Sequence, residues 1–229
     1  MIDWHSHILP KMDDGSRDTD ESLEMLGALE KQGVDVVIAT PHFYANEESV
    51  EEFLLRRKAS YELLRDNMQG IKIRVVCGAE VKYYPGISRM EDINKLTIEN
   101  TNLLLLEMPF ARWTDHTVRE LYELANMRGL KIVIAHIERY ISMQDNRLIG
   151  ELVENGILVQ MNASFFAHLG SRRKASKLLS SGFVHFLGTD CHNMTTRQPN
   201  IDLAYNFIRR KFGEEFTLQM NEFGYQALA

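Results

Sequence analysis

The sequence predicts an α/β fold with a parallel sheet, and three observations carry that expectation. Amphipathic stretches alternate with short apolar runs along the chain. The runs are apolar at consecutive positions, as in Val36-Val37-Ile38 and Leu103-Leu104-Leu105-Leu106, which suits strands covered on both faces. Gly33, Gly70, Gly129, Gly156 and Gly182 each follow an amphipathic stretch and precede an apolar run, where a left-handed residue would end a helix.

In order, the expected strands are residues 2–4, 35–40, 71–77, 102–106, 131–135, 157–161 and 183–187. The first helix is the best marked: Asp18 with Glu21 resembles a capping box, Leu23, Leu26 and Leu29 form the buried stripe, and Gly33 stops it. Residues 83–100 form the least regular insert, and 110–115 and 165–171 read as loops on the strand-exit side. Seven strand–helix units favour a closed or distorted barrel over an open sheet. With no low-complexity segment or long linker, residues 1–229 are expected to form one domain.

Composition narrows the function. Hydrophobic content of 45% and charged content of 25% are ordinary for a soluble globular protein. A net charge of −6 and a pI near 5.8 argue against a nucleic-acid binder that relies on a broad basic face. The basic runs Arg56-Arg57-Lys58, Arg172-Arg173-Lys174 and Arg209-Arg210-Lys211 are expected on solvated helix faces. No stretch has the apolar length of a membrane span and the start lacks the features of a signal peptide, so a cytoplasmic protein is expected, with Cys77 and Cys191 reduced.

Chemistry-bearing residues collect at the strand exits. His5 and His7 end the first run, His42 follows Thr40-Pro41, Glu80 follows Gly78-Ala79, Glu107 follows four leucines, His136 follows the fifth run, and Asp190 with His192 follows the seventh. In a parallel barrel these ends share one face, where active sites are built. Of eight histidines, five stand at such exits, whereas His116, His168 and His185 do not. A glutamate straight after Leu103–Leu106 is costly unless paired or bound to a cation. Mixed imidazole and carboxylate ligands suit divalent Mn, Zn or Fe, and their number exceeds the needs of one ion. Arg139 and Arg197, three and five residues beyond His136 and His192, offer planar paired donors that match phosphate oxygens.

The segments Met1-Ile2-Asp3-Trp4-His5-Ser6-His7-Ile8-Leu9-Pro10, Asp13-Asp14-Gly15, Thr40-Pro41-His42, Gly78-Ala79-Glu80, Ala135-His136-Ile137-Glu138-Arg139 and Asp190-Cys191-His192-Asn193 resemble the polymerase-and-histidinol-phosphatase superfamily. Within it they resemble the bacterial manganese-dependent protein-tyrosine phosphatases of the CpsB type, encoded with capsule and exopolysaccharide genes. The resemblance covers nearly the whole chain and implies a distorted (β/α)7 barrel holding three divalent ions, Mn above all, with Fe, Zn or Mg as alternatives. It implies one ion on His5, His7, Glu80 and Asp190, a second on Glu80, Glu107 and His136, and a third on Asp14, His42 and His192. Asp14 enters only through the resemblance, since it lies in a loop and not at a strand end. Arg139 and Arg197 match the family's phosphate-binding arginines. Trp4 stands in place of a usual aliphatic residue, Phe43 where a second histidine is common, and residues 213–229 are expected to be shorter than in relatives.

The implied reaction is phosphotyrosine hydrolysis by a metal-activated hydroxide, with a bacterial tyrosine autokinase as partner. Phenolate, whose conjugate acid has a pKa of about 10, leaves without a dedicated general acid. Three divalent ions would bring the formal charge of −6 close to zero. Four alternatives share some of these features. Cys191 and Arg197 have the spacing of thiol-based tyrosine phosphatases, although their loop lacks glycine and alternation turns Cys191 from the cleft. A metal-dependent amidohydrolase, a histidinol-phosphatase-like or phosphodiester hydrolase of the same superfamily, and a non-catalytic adaptor for a kinase tail are the others.

Overall fold

The computed structural model describes residues 1–229, the side chain of Asn146 excepted. The chain opens with β1 (Ile2–Ser6), and α1 (Thr19–Lys31) returns it to β2 (Val36–Ala39) and the two-residue β3 (His42–Phe43). Next come α2 (Val50–Arg65), β4 (Arg74–Cys77), β5 (Glu80–Lys82) and β6 (Leu103–Glu107). Then α3 (Asp115–Arg128), β7 (Lys131–Ile134), α4 (Asn146–Glu154), β8 (Leu158–Asn162), α5 (Leu169–Ser180) and β9 (Phe186–Gly188) alternate. Helices α6 (Ile201–Phe212) and α7 (Glu214–Ala227) close the chain.

Every strand pair is parallel, in the orders β1-β2-β4 and β3-β5-β6-β7-β8-β9. The break between the two groups has a chemical cause. Pro41 lacks an N–H to donate, so the ladder Ala39↔Cys77 lapses and resumes at His42↔Glu80 with the same offset. Gly78 N–H to Ala39 O (2.8 Å) and Glu80 N–H to Pro41 O (3.0 Å) bridge the gap. At the other end a parallel bridge, Ser6↔Cys191, ties β1 to the segment after β9.

Alternate strand residues feed two apolar clusters. Ile2, Trp4, Val36, Ile38, Leu103 and Leu105 meet in one. Val37, Ala39, Leu104 and Leu106 face the other way, onto helix residues such as Met25, Leu26 and Leu29 of α1. Burial on both faces is what the consecutive apolar runs require. Helix α7 covers the first cluster, and Gly224 allows the approach: a Cβ there would stand 3.1 Å from the Trp4 indole nitrogen and 3.3 Å from Ile2.

The five glycines expected to end helices all have positive φ, between 66° and 86°. Other expectations need correction. Asp18 caps α1 by accepting the Glu21 N–H at 2.9 Å, but the Glu21 carboxylate turns to Arg17, so half of the capping box is missing. The full box stands at Ser49 and Glu52, before α2. Arg57 is not solvated; it is buried and donates to the Gly78 carbonyl at 2.7 Å. Residues 165–171 are not a loop, because a 3-10 turn (Ala163–Phe166) leads directly into α5. The insert at 83–100 carries two 3-10 turns that bury Ile87, Ile93 and Leu96.

Candidate metal centre

The proposed ligands converge. His5 lies in β1 with His7 just beyond it, His42 opens β3, Glu80 opens β5 and Glu107 ends β6. A register shift in β1 between Asp3 and Ser6 adds a residue opposite β2 and re-aims the strand as it enters the site. His136 and Asp190 follow β7 and β9 in left-handed backbone, with φ of 33° and 54°. Such conformations cost non-glycine residues about 1–3 kcal/mol and gather where side-chain direction matters more than backbone ease. Asp14 sits on the loop after β1, which Gly15 lets pass against His7: a Cβ at Gly15 would overlap the His7 carbonyl oxygen and Cβ.

Hydrogen bonds fix the imidazole tautomers. Gln160 Oε1 accepts the His136 backbone N–H at 2.7 Å, which orients its amide, and His5 Nδ1–H therefore donates to the same oxygen at 3.2 Å. His7 Nδ1–H donates to the Asp13 carboxylate at 2.7 Å. In the neutral rings both Nε2 atoms are lone pairs, 3.2 Å apart. Glu80 Oε2 stands 3.1 Å from His5 Nε2 and 3.3 Å from His7 Nε2, and Asp190 Oδ1 stands 3.6 Å and 3.4 Å from them. Four acceptors facing one point repel one another unless a cation or extra proton lies between them.

Two further groups adjoin this one. His192 Nδ1–H donates to the Asp190 carbonyl at 3.0 Å, leaving Nε2 buried without a hydrogen-bond partner. Asp14 Oδ1 lies 3.3 Å from that nitrogen and 3.4 Å from His42 Nε2, and His7 completes the set. Glu80, Glu107 and His42 form the third group. His136 Nε2 stands 2.8 Å from Glu80 Oε1 and 3.6 Å from Glu107 Oε1 beside it.

The field suits cations. Five carboxylates (Asp13, Asp14, Glu80, Glu107 and Asp190) face two guanidinium groups, Arg139 and Arg197. Burial works against a charge on His7, yet Asp13, Asp190 and Glu80 outweigh it and hold its pKa well above an ordinary imidazole. Burial likewise opposes ionisation of Glu80, but His5, His136 and His42 keep it far below the usual carboxylate range. On the other flank burial, with His7 and Arg197, lowers His192 to about 4, so its nitrogen is a free lone pair at neutral pH. Unpartnered buried nitrogens, facing lone pairs and excess carboxylate together fit divalent metal ions, whose His and carboxylate ligands must be deprotonated.

Both arginines reach the same carboxylate: Arg139 donates to Asp190 Oδ2, and Arg197 Nη2 lies 2.7 Å from Asp190 Oδ1. Each is about one-third exposed, at 33% and 38%, and so keeps donors for a ligand entering from solvent. A cavity of 810 Å³ opens beside Asp14, His42 and Tyr44 and runs along the start of α2 to Leu55 and Arg56. Cys191 takes no part. It is fully buried, and burial with the Asp3 carboxylate pushes its thiol well above the ordinary range, the reverse of an activated nucleophile.

Residue-by-residue reading missed the groups that act through others. Asp13 orients His7; Gln160 orients His5; Asn162 links Gln160 Nε2 (2.9 Å) to Asp190 Oδ2 (2.9 Å). Their one signal is polarity out of place: Gln160 and Asn162 are buried in β8, whose neighbours Val159 and Met161 are apolar.

A parallel α/β fold with a His/carboxylate cluster and two arginines at its strand exits has the features of a metal-dependent protein that takes an anion. Residues 1–222 match the family model described as "Capsular polysaccharide synthesis, CpsB/CapC", and the chain belongs to that family. It is 32% identical to the tyrosine-protein phosphatase YwqE of Bacillus subtilis, over 97% of this chain and 89% of that protein. It is 31% identical to the tyrosine-protein phosphatase CpsB of Streptococcus pneumoniae, over 93% and 91% of the two chains. Among solved structures, one from the study of YwqE and CpsB, described there as unique metal-dependent tyrosine phosphatases, superposes with a TM-score of 0.83 at 28% identity. That match covers 100% of this chain and 94% of the other. Histidinol phosphate phosphatase from Lactococcus lactis shares the fold, with a TM-score of 0.57 at 14% identity over 91% and 92% of the chains.

Proposed function

We propose that this chain is a metal-dependent protein-tyrosine phosphatase. The observation that carries the reading is the meeting of His5, His7, Glu80 and Asp190 under two arginines that both reach Asp190. We assign His5, His7, Glu80 and Asp190 to one divalent ion, Glu80, Glu107 and His136 to a second with Glu80 shared, and Asp14, His42 and His192 to a third. Mn is the metal we favour. Bound there, the ions would supply Lewis acidity and lower the pKa of water enough for it to serve as a nucleophile near neutral pH.

The chain's own residues do the rest. Asp13 holds the His7 ring and Gln160 the His5 ring through Nδ1–H, so that Nε2 is the nitrogen each would offer a metal. Arg139 and Arg197 bind the non-bridging oxygens, where a loose phosphoryl-transfer transition state keeps its charge. The leaving phenolate needs no general acid, and none is assigned. The cavity beside His42 extends well past the ligand cluster, which favours a phosphotyrosine within a polypeptide over a small phosphomonoester.

The partner consistent with capsule synthesis is a membrane-associated bacterial tyrosine kinase. Among the described residues no helix is long and apolar enough to cross a membrane. The two buried free thiols accord with work in the cytoplasm. Counting β2 with β3 and β4 with β5 as interrupted single strands, the architecture reads as a distorted (β/α)7 barrel in one domain, supported by the matched offset at His42↔Glu80 and the Ser6↔Cys191 bridge.

The test is phosphate release from phosphotyrosine peptides, histidinol phosphate and a phosphodiester, with and without added Mn. Phosphotyrosine turnover that depends on Mn is expected. His136→Ala should lose both metal and activity, whereas Arg139→Lys should keep its metal and lose turnover by about 100-fold or more. Faster release from histidinol phosphate than from every peptide would assign the chain to small-molecule chemistry instead.

A further inference from the structure

We propose that Phe110 is the surface that receives the substrate's aromatic ring, making it a specificity-determining residue that favours aryl over alkyl phosphates; this rests on the phosphotyrosine reading above. Among the described residues, every other large, exposed apolar side chain lies on a helix. Phe110 alone lies on a strand-exit loop, three residues beyond Glu107, and it is 58% exposed. The exposure is not slack in the loop. Ala111 N–H donates to the Pro109 carbonyl at 2.8 Å, and the Trp113 indole donates to the same carbonyl at 3.3 Å. The Gln144 amide then clamps both sides, donating to Ala111 O (2.7 Å) and accepting Trp113 N–H (3.0 Å). A pinned loop thus holds an apolar ring in water at the mouth of a polar cleft.

The ring's neighbours are the site itself. It lies 15° from parallel to the His136 imidazole at a centroid distance of 6.4 Å, and it packs against Tyr140 at 5.5 Å. The Arg139 guanidinium stands 6.0 Å from its centroid. A phosphoryl group held by Arg139 would thus lie beside Phe110, within reach of a ring on its ester oxygen. Tyr44, another aromatic residue beside the ligands, is half-buried and borders the cavity beside His42. Its ring stacks on His42 at 5.3 Å, and the Lys82 ammonium stands 5.0 Å from its centroid. An aryl ester gains a ring–ring contact on Phe110 that an alkyl ester of the same charge cannot make, and such a contact changes affinity by roughly two- to tenfold.

Binding of two non-hydrolysable probes, phenylphosphonate and methylphosphonate, to the Mn-loaded protein tests this by calorimetry. The wild-type protein should bind phenylphosphonate more tightly. Phe110→Ala should weaken phenylphosphonate by roughly two- to tenfold and leave methylphosphonate and the bound Mn unchanged, and Phe110→Trp should restore the preference. Equal affinity for the two probes in the wild-type protein, no measurable binding of either, or a loss in Phe110→Ala that is the same for both overturns the proposal. Phosphotyrosine turnover by the wild-type protein, measured separately, tests the parent reading alone.

Discussion

Gln160 is a neutral amide on which two candidate ligands depend. Its oxygen receives both His5 Nδ1–H and the His136 backbone N–H, so Gln160→Met would leave two buried donors unpaired while preserving shape. Freeing His5 to rotate or change tautomer should weaken metal binding by about 10- to 100-fold. Mn titration of the folded variant measures this, and affinity equal to wild type would remove Gln160 from the site. His185 gives the residue-scale test of pH. Its Nδ1 accepts the Val159 N–H at 3.1 Å, and burial lowers its pKa to about 4. The unfolded imidazole titrates near 6.5, so between pH 6.5 and 4 the unfolded chain binds more protons and stability falls as pH falls. His185→Gln, whose amide oxygen can accept the same N–H, should show a shallower loss of urea resistance from pH 7 to 4.5. Parallel curves for the two proteins would refute the assignment.

At the scale of elements, the seam between β1 and β9 sets the site. A Cβ at Gly188 would stand 2.6 Å from His5 Cβ and 2.8 Å from His5 N, so the strands could not keep their spacing. Gly188→Ala should cost upwards of about 2 kcal/mol and lower metal occupancy, read by thermal unfolding and metal analysis, whereas Gly170→Ala, with open space around its Cβ, should do neither. Much of this level was legible in the chain. His5, His7, His42, Glu80, Glu107, His136, Asp190 and His192 could be read because parallel strands deliver their last residues to one face, whatever the loops between them do. The breaks in the sheet were not legible, because Thr40-Pro41 and Gly78-Ala79 read as the ends of apolar runs, and only pairing across strands reveals β3 and β5 beyond them. Gln160 and Asp13 escaped for another reason: they touch imidazoles, and a role exercised through another side chain leaves no spacing to read. Glu21 has the spacing of a capping box, yet a nearby guanidinium competes for its carboxylate.

For the whole molecule, the cluster sets negative groups and lone pairs against one another at the exits of six strands, so ions bound there would act as fasteners for the fold. At a hundredfold excess over its dissociation constant, a ligand of the native state adds about 2.7 kcal/mol. For a chain of this size that corresponds to a rise in Tm of roughly 5–10 °C. Scanning calorimetry with Mn and with a chelator should show it, and an unchanged Tm would mean the cluster holds no ion. The placement of the cysteines has a consequence for how such a molecule survives chemical attack. Cys191 is sealed between Asp190 and His192, and burial with the Glu99 carboxylate raises Cys77 to about 12. Neither presents the thiolate that alkylating reagents consume. Native protein treated with iodoacetamide should keep its turnover, under conditions that silence any phosphatase whose nucleophile is sulfur. A cell that loses its thiol-dependent phosphatases to an electrophile would still have this one.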